Sequence, residues 1–189
     1  MKYNPLIHNR RSIRLKGYDY SRSGAYFITI CTYQRLPLFG EIINGEIILG
    51  EVGQIAYNEW LKTPEIRPYV SLDVFTIMPN HMHGIILIND DPANSKGVSH
   101  TPLSHPLDNA LCDTPLPELF RSPSHNIGAV VRGYKSSVTR QINLLDHGDS
   151  AWHRNYHEHI IRDEKSYTRI SDYIINNPSN RIDDKFYIK

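Results

Sequence analysis

Two histidines and one tyrosine carry the chemistry most readily read from this chain. His81-Met82-His83 lies in a stretch whose alternation predicts a strand, and residues two apart on a strand face the same way. Both imidazoles therefore project together, with Met82 on the other side, and make half of a metal site. Alone, the pair also suits one packed and one solvated histidine. The second piece is Tyr173-Ile174-Ile175-Asn176-Asn177. Positions four apart on a helix stack on one face, so Tyr173 and Asn177 share a side. The Asn177 amide oxygen is a candidate third ligand that would bring the Tyr173 hydroxyl close to the same ion. Packing explains these two residues as well, because Tyr173 borders the Ile170 and Ile174 stripe and Asn177 ends the helix. Tyr134 is the competing nucleophile, beside Lys135 and near Arg132. It lies in an apolar stripe with Val130, Val131 and Val138, and no ligand-type residue follows it by four.

The elements needed to position these groups are legible from pattern. Residues 26–36 are rich in aromatic and β-branched types and predict a strand. Asn44-Gly45 between two apolar runs predicts a hairpin over 38–49. Val52, Ile55, Ala56, Trp60 and Leu61 have helical spacing. Residues 70–78 and 81–88, split by Pro79-Asn80, predict an antiparallel pair in the middle of the sheet. Helical spacing returns at Ile127, Val130, Val131, Tyr134, Val138 and Ile142, and 151–161 predicts a strand. Asp163 is placed to cap a last helix, which Pro178 ends near Asn177. Strands mixed with helices predict an α+β sandwich.

The chain has 189 residues and a formal net charge of +1, enough for one domain with a full core and no overall basicity. We expect a single domain over 1–189, with a basic N-terminal arm (1–24) and a mobile excursion inserted at 91–125. That excursion is rich in Pro, Ser, Asp and Asn, and its composition predicts mobility. The arm holds Lys2, Arg10, Arg11, Arg14, Lys16 and Arg22 against one acid, Asp19. Two cysteines, Cys31 and Cys112, have no metal-ligand spacing and suit a reducing cytoplasm. No apolar run suggests a membrane span, and no secretion signal opens the chain. Arg11, Arg14, Lys16, Arg132, Lys135 and Arg140 are the candidate phosphate contacts, which would add affinity but little sequence choice. Tyr18, Tyr20 and Tyr26 are candidates for stacking on unpaired bases.

Four segments in order resemble one family. They are Gly24-Ala25-Tyr26-Phe27-Ile28-Thr29-Ile30, Met78-Pro79-Asn80-His81-Met82-His83-Gly84, Trp152-His153-Arg154-Asn155-Tyr156 and Tyr173-Ile174-Ile175-Asn176-Asn177-Pro178. The pattern is similar to that of the single-tyrosine HUH transposases, and within them the REP-associated tyrosine transposases. It covers the chain from about Arg11 to Asn180, apart from 91–125. The resemblance implies a ferredoxin-like (RRM-like) antiparallel sheet with packed helices, the HUH nuclease fold. It implies a divalent metal, Mg2+ or Mn2+, on His81, His83 and Asn177, although two imidazoles suit manganese, zinc or iron better than magnesium. It also implies that Tyr173 attacks a phosphorus of single-stranded DNA beside a hairpin, leaving a 5′-phosphotyrosine and a free 3′-hydroxyl. Related transposases often form homodimers that exchange the tyrosine helix, whereas the REP-associated branch can act as monomers. The rival reading is a non-catalytic nucleic-acid-binding module on the same sheet.

Overall fold

The strand Gly24–Cys31 (β1) is buried without a break from Ile28 onward and lies in the interior of its sheet. A computed structural model describes residues 14–15, 17–89, 125–145 and 151–180. Arg11, Lys16 and nearly all of the 91–125 segment lie outside the described residues. After β1 come a 3-10 turn (Tyr33–Arg35), β2 (Gly40–Ile43), β3 (Glu46–Leu49), α1 (Glu51–Leu61) and α2 (Thr63–Ile66). These are followed by β4 (Val70–Met78), β5 (His81–Ile88), α3 (Ile127–Asn143), β6 (His157–Ile161) and α4 (Glu164–Asn176).

β4, β5, β1 and β6 form one sheet in that order, and every pairing in it is antiparallel. This corrects one expectation. β4 and β5 do pair, but only β5 is interior; β4 is an edge strand, because β1 inserts on the far side of β5. The β2–β3 hairpin forms a separate two-stranded sheet. Its turn is the one Asn-Gly favours, with φ of 53° at Asn44 and 83° at Gly45.

Strand parity divides the core in two. Tyr26, Ile28 and Ile30 of β1 and Met82 and Ile86 of β5 pack with Trp60 of α1 and with Val130, Tyr134 and Val138 of α3. On the opposite face Ile85 packs with Ile161 and with Ile170 and Ile174 of α4. The sheet is thus sandwiched between α1/α3 and the tyrosine-bearing α4. Asp163 caps α4 as expected, its carboxylate accepting from the Ser166 N–H at 2.8 Å. Asn126 caps α3 in the same way, accepting from the Ala129 N–H at 2.8 Å.

Two strands are shorter than the pattern suggests. Regular pairing of β1 stops at Cys31, and Thr32 makes an isolated bridge to Trp152. The Thr32 hydroxyl donates to the carbonyls of Leu36 and Asn80 at 2.7 and 2.9 Å, while Gln34 and Arg35 take positive φ. These bonds turn the chain. Residues 151–156 are irregular as well. There Trp152 works as a wedge, its indole N–H donating to the Lys135 carbonyl at 3.1 Å and its ring packing on Phe39 and Tyr134.

Gly84 is explained by close approach: a Cβ there would lie 3.1 Å from both Phe75 and Trp60. Gly84→Ala should overpack this contact and destabilise the protein by about 1–3 kcal/mol, measurable as a lower denaturant midpoint.

Candidate active site

His81 and His83 stand on the α4 face of β5, opposite Met82, and both are almost fully buried, at 1% and 0% exposure. Their Nε2 atoms are 3.1 Å apart. Each ring is oriented from its other nitrogen. The Asn80 amide oxygen can only accept, so Nδ1–H of His81 donates to it at 2.7 Å and leaves the lone pair on Nε2. Nδ1 of His83 is hydrogen-bonded to the Thr29 hydroxyl at 2.8 Å. Thr29 is the cross-strand partner of His83 on β1, which explains why this bond forms. Such partners to the outer nitrogen fix imidazoles as metal ligands.

Tyr173 reaches the same point from α4. Its hydroxyl lies 3.2 Å from Nε2 of His83, and its ring is edge-on to Phe27 at 6.2 Å. Phe27 also packs against His83, with centroids 5.3 Å apart. Hydrophobic anchoring by Ile170 and Ile174 holds α4 down while Tyr173 stays 37% exposed. A nucleophile needs both features, a fixed oxygen and an open approach. Asn177, one turn further on, is buried at 2% exposure, and its amide oxygen has no hydrogen-bond partner. Buried polar atoms are rarely left so.

These donors fit a divalent ion. Two nitrogens bound to one ion at roughly 2.1 Å and at right angles would lie about 3 Å apart, close to the observed Nε2 separation. The orphaned Asn177 oxygen supplies a third, neutral donor. Among the described residues no group of three or more His, Cys, Asp or Glu could hold a metal, so an ion here depends on the amide as well as the histidines.

Tyr134, the competing nucleophile, is far less suited. It is 3% exposed on the other face of the sheet, its hydroxyl donates to the Ala56 carbonyl at 3.1 Å, and burial pushes its pKa well above the ordinary tyrosine value. Tyr134→Phe should cost about 1 kcal/mol of stability through the lost hydrogen bond and leave any covalent attachment to DNA unchanged. Denaturant unfolding and a denaturing gel check the two halves of that expectation.

The candidate phosphate contacts are dispersed. Arg132, Lys135 and Arg140 are on α3, across the sheet from the histidines. Lys135 donates to the carbonyls of His153 and Asn155 at 2.7 and 3.1 Å, and burial lowers its pKa to about 8. It ties the 151–156 segment to α3. Arg14 pairs with Glu158 at 3.7 Å and donates to the Tyr156 hydroxyl. Of the aromatic candidates, Tyr26 is fully buried and its hydroxyl donates to the Arg22 carbonyl at 2.8 Å, so it is a core residue. Tyr18 and Tyr20 pack edge-on to each other at 4.9 Å.

Sequence reasoning missed Asn80, Thr29 and Phe27. The first adjoins the histidine pair and could have been flagged as an amide beside an imidazole. Thr29 and Phe27 needed the β1–β5 register, which no local pattern encodes.

No protein-family model matches the chain. An uncharacterized protein of Haemophilus influenzae is 44% identical over 187 residues, spanning 99% of this chain and 98% of its own. Among solved structures, a REP-associated tyrosine transposase bound to a REP hairpin superposes with a TM-score of 0.56. It is 18% identical and covers 89% of this chain and 74% of its own. A candidate transposase from Deinococcus radiodurans aligns more loosely, with a TM-score of 0.45 and 16% identity over 87% of this chain and 97% of its own.

Proposed function

The chain belongs to one family with the Haemophilus influenzae protein and has a REP tyrosine transposase-like fold, and from that premise we propose that it is a metal-dependent single-strand DNA nicking and joining enzyme. The observation that carries this reading is the meeting of Tyr173 with the paired histidines, hydroxyl to Nε2 at 3.2 Å. The hairpin held by the solved transposase supports a hairpin-forming DNA as substrate. Among the described residues no helix is long and apolar enough to cross a membrane, and we place the enzyme in the cytoplasm.

His81, His83 and Asn177 would hold the ion, Mn2+ or Mg2+, with the two imidazoles favouring manganese. When bound, the ion supplies Lewis-acid polarisation of the scissile phosphate. The chain's own residues do the rest. Asn80 and Thr29 keep both imidazoles turned toward the reacting phosphate, and Phe27 buttresses His83 and the Tyr173 ring. α4 presents the Tyr173 oxygen for in-line attack. A bond forms between that oxygen and phosphorus while the bond from phosphorus to the 3′-oxygen breaks. The phenolic proton passes to solvent, and the departing oxygen takes one up to become a 3′-hydroxyl. One phosphoester replaces another, so a later 3′-hydroxyl can reverse the step without an energy cofactor.

Incubation with a panel of single-stranded hairpin oligonucleotides and Mn2+ tests the proposal. The expected result is a species shifted on a denaturing gel that requires both metal and protein. Hairpin binding with no shifted species under any condition would reject catalysis in favour of a binding module.

A further inference from the structure

The row of the sheet that holds His83 ends in another histidine. His83 of β5 lies opposite Thr29 of β1, and Thr29 lies opposite His157 of β6. His159 lies opposite Phe27 in the next row. Strand parity sends His157 and His159 to the α4 side of the sheet, together with Ile161, which packs there with Ile170 and Ile174. Ile160 keeps to the alternation, because it packs against the α1/α3 core.

Cover is uneven along this face of β6. Ile161 is buried beneath α4, whereas His157 and His159 are exposed. The helix starts beyond Ile161 and packs across the sheet onto β5 and β4, so the Thr29–His157 end of the face stays open. Tyr173 borders that opening, with its ring edge-on to Phe27. Neighbouring strands lie about 4.8 Å apart, which puts His157 roughly 10 Å from His83 across the open side. The converging Nε2 atoms of His81 and His83 set the reacting centre between their two rows. His157 is therefore the nearer histidine of β6, and His159 stands one row further off.

We propose that His157 is the general acid that protonates the departing 3′-oxygen. The inference rests on the nicking and joining reading and assigns the proton that its leaving group needs. A phenolate is a much weaker base than the alkoxide it displaces, so the exchange is slow unless that oxygen is protonated as it departs. In-line attack puts the departing oxygen on the far side of phosphorus, about 5 Å from the Tyr173 oxygen at the point of approach. Because α4 brings the nucleophile in from over β4 and β5, the far side is the open one, toward β6. Thr29 is unsuited to the task, being buried with its hydroxyl bonded to His83. As the bond from phosphorus to the 3′-oxygen breaks, the protonated imidazole of His157 passes a proton to that oxygen and becomes neutral. Water then reprotonates the exposed ring. In the joining direction the neutral ring takes the proton from the incoming 3′-hydroxyl.

Single-turnover attachment to a saturating hairpin oligonucleotide in Mn2+ tests this. The oligonucleotide is used in its ordinary form and with sulfur replacing the bridging 3′-oxygen at the nick. A thiolate departs without being protonated, so the sulfur substrate has no need of an acid. We expect His157→Gln to slow attachment to ordinary DNA by about a hundredfold or more and to match the unaltered protein on the sulfur substrate. Should that variant fail to fold, His157→Asn takes its place with the same pair of substrates. Equal slowing on both substrates would make His157 structural and overturn the inference. An undiminished rate on ordinary DNA, or a sulfur rescue found with His159→Gln and not with His157→Gln, would overturn it too. In those cases attachment by the unaltered protein leaves the proposed function standing. If the unaltered protein joins neither DNA, that function is rejected and the inference falls with it.

Discussion

Tyr173→Phe is expected to abolish covalent attachment to DNA while leaving the fold and hairpin binding intact. The substitution removes one oxygen and keeps the ring that packs edge-on to Phe27. That oxygen is the atom within 3.2 Å of His83 and the only nucleophile the proposed mechanism supplies. Loss of a covalent nucleophile costs on the order of 10^6 in rate where it has been measured, so the adduct should fall below detection on a denaturing gel. The stability change should stay within about 1 kcal/mol, because a single hydrogen bond at a partly exposed residue is lost. A Phe variant that still joins DNA would show that the attacking oxygen belongs to another residue.

His83→Ala should have the second-largest effect. It deletes one of the two converging Nε2 donors and empties a buried site held by Thr29, Phe27 and Tyr173. Thr29→Val is the gentler companion: it keeps the volume and removes only the hydroxyl that orients the imidazole. Altering an outer partner of this kind costs about ten- to a hundredfold in metal affinity or activity. Removing the ligand itself should cost at least about a hundredfold by the same measure. Cleavage rates across a Mn2+ titration separate the cases. Thr29→Val should shift the metal dependence and recover rate at high Mn2+, whereas His83→Ala should not recover. Hairpin binding without metal should survive in both, since neither substitution removes an arginine or lysine. Parallel loss of binding and cleavage would mean that the histidines are structural.

Much of this arrangement could be read in the sequence because local periodicity carries it. Parity alone puts His81 and His83 on one face and Met82 on the other. Helical spacing alone aligns Tyr173 with Asn177 and buries Ile170 and Ile174. Long-range pairing was the hidden part. Nothing local says that β1 slots between β5 and β6, so the edge position of β4 and the Thr29 contact with His83 were out of reach. The early end of β1 follows from Thr32 spending its hydroxyl on the carbonyls of Leu36 and Asn80, a choice that composition does not reveal. Surface charge was the weakest guide. Arg14 and Lys135 look like free phosphate contacts in one dimension, but each is tied to the protein, by Glu158 and Tyr156 in one case and by backbone carbonyls in the other.

The central claim is that Tyr173 becomes covalently joined to DNA at a site built by His81, His83 and Asn177. Its most direct test is to trap the unaltered protein on a hairpin oligonucleotide in Mn2+, digest the adduct, and locate the nucleotide-bearing residue by mass spectrometry. The account predicts a 5′-phosphotyrosyl linkage on the peptide that contains Tyr173, and a free 3′-hydroxyl on the released DNA fragment. A linkage on Tyr134 or any other residue, or cleavage that yields a free 5′-phosphate with no protein attached at any time point, would contradict it.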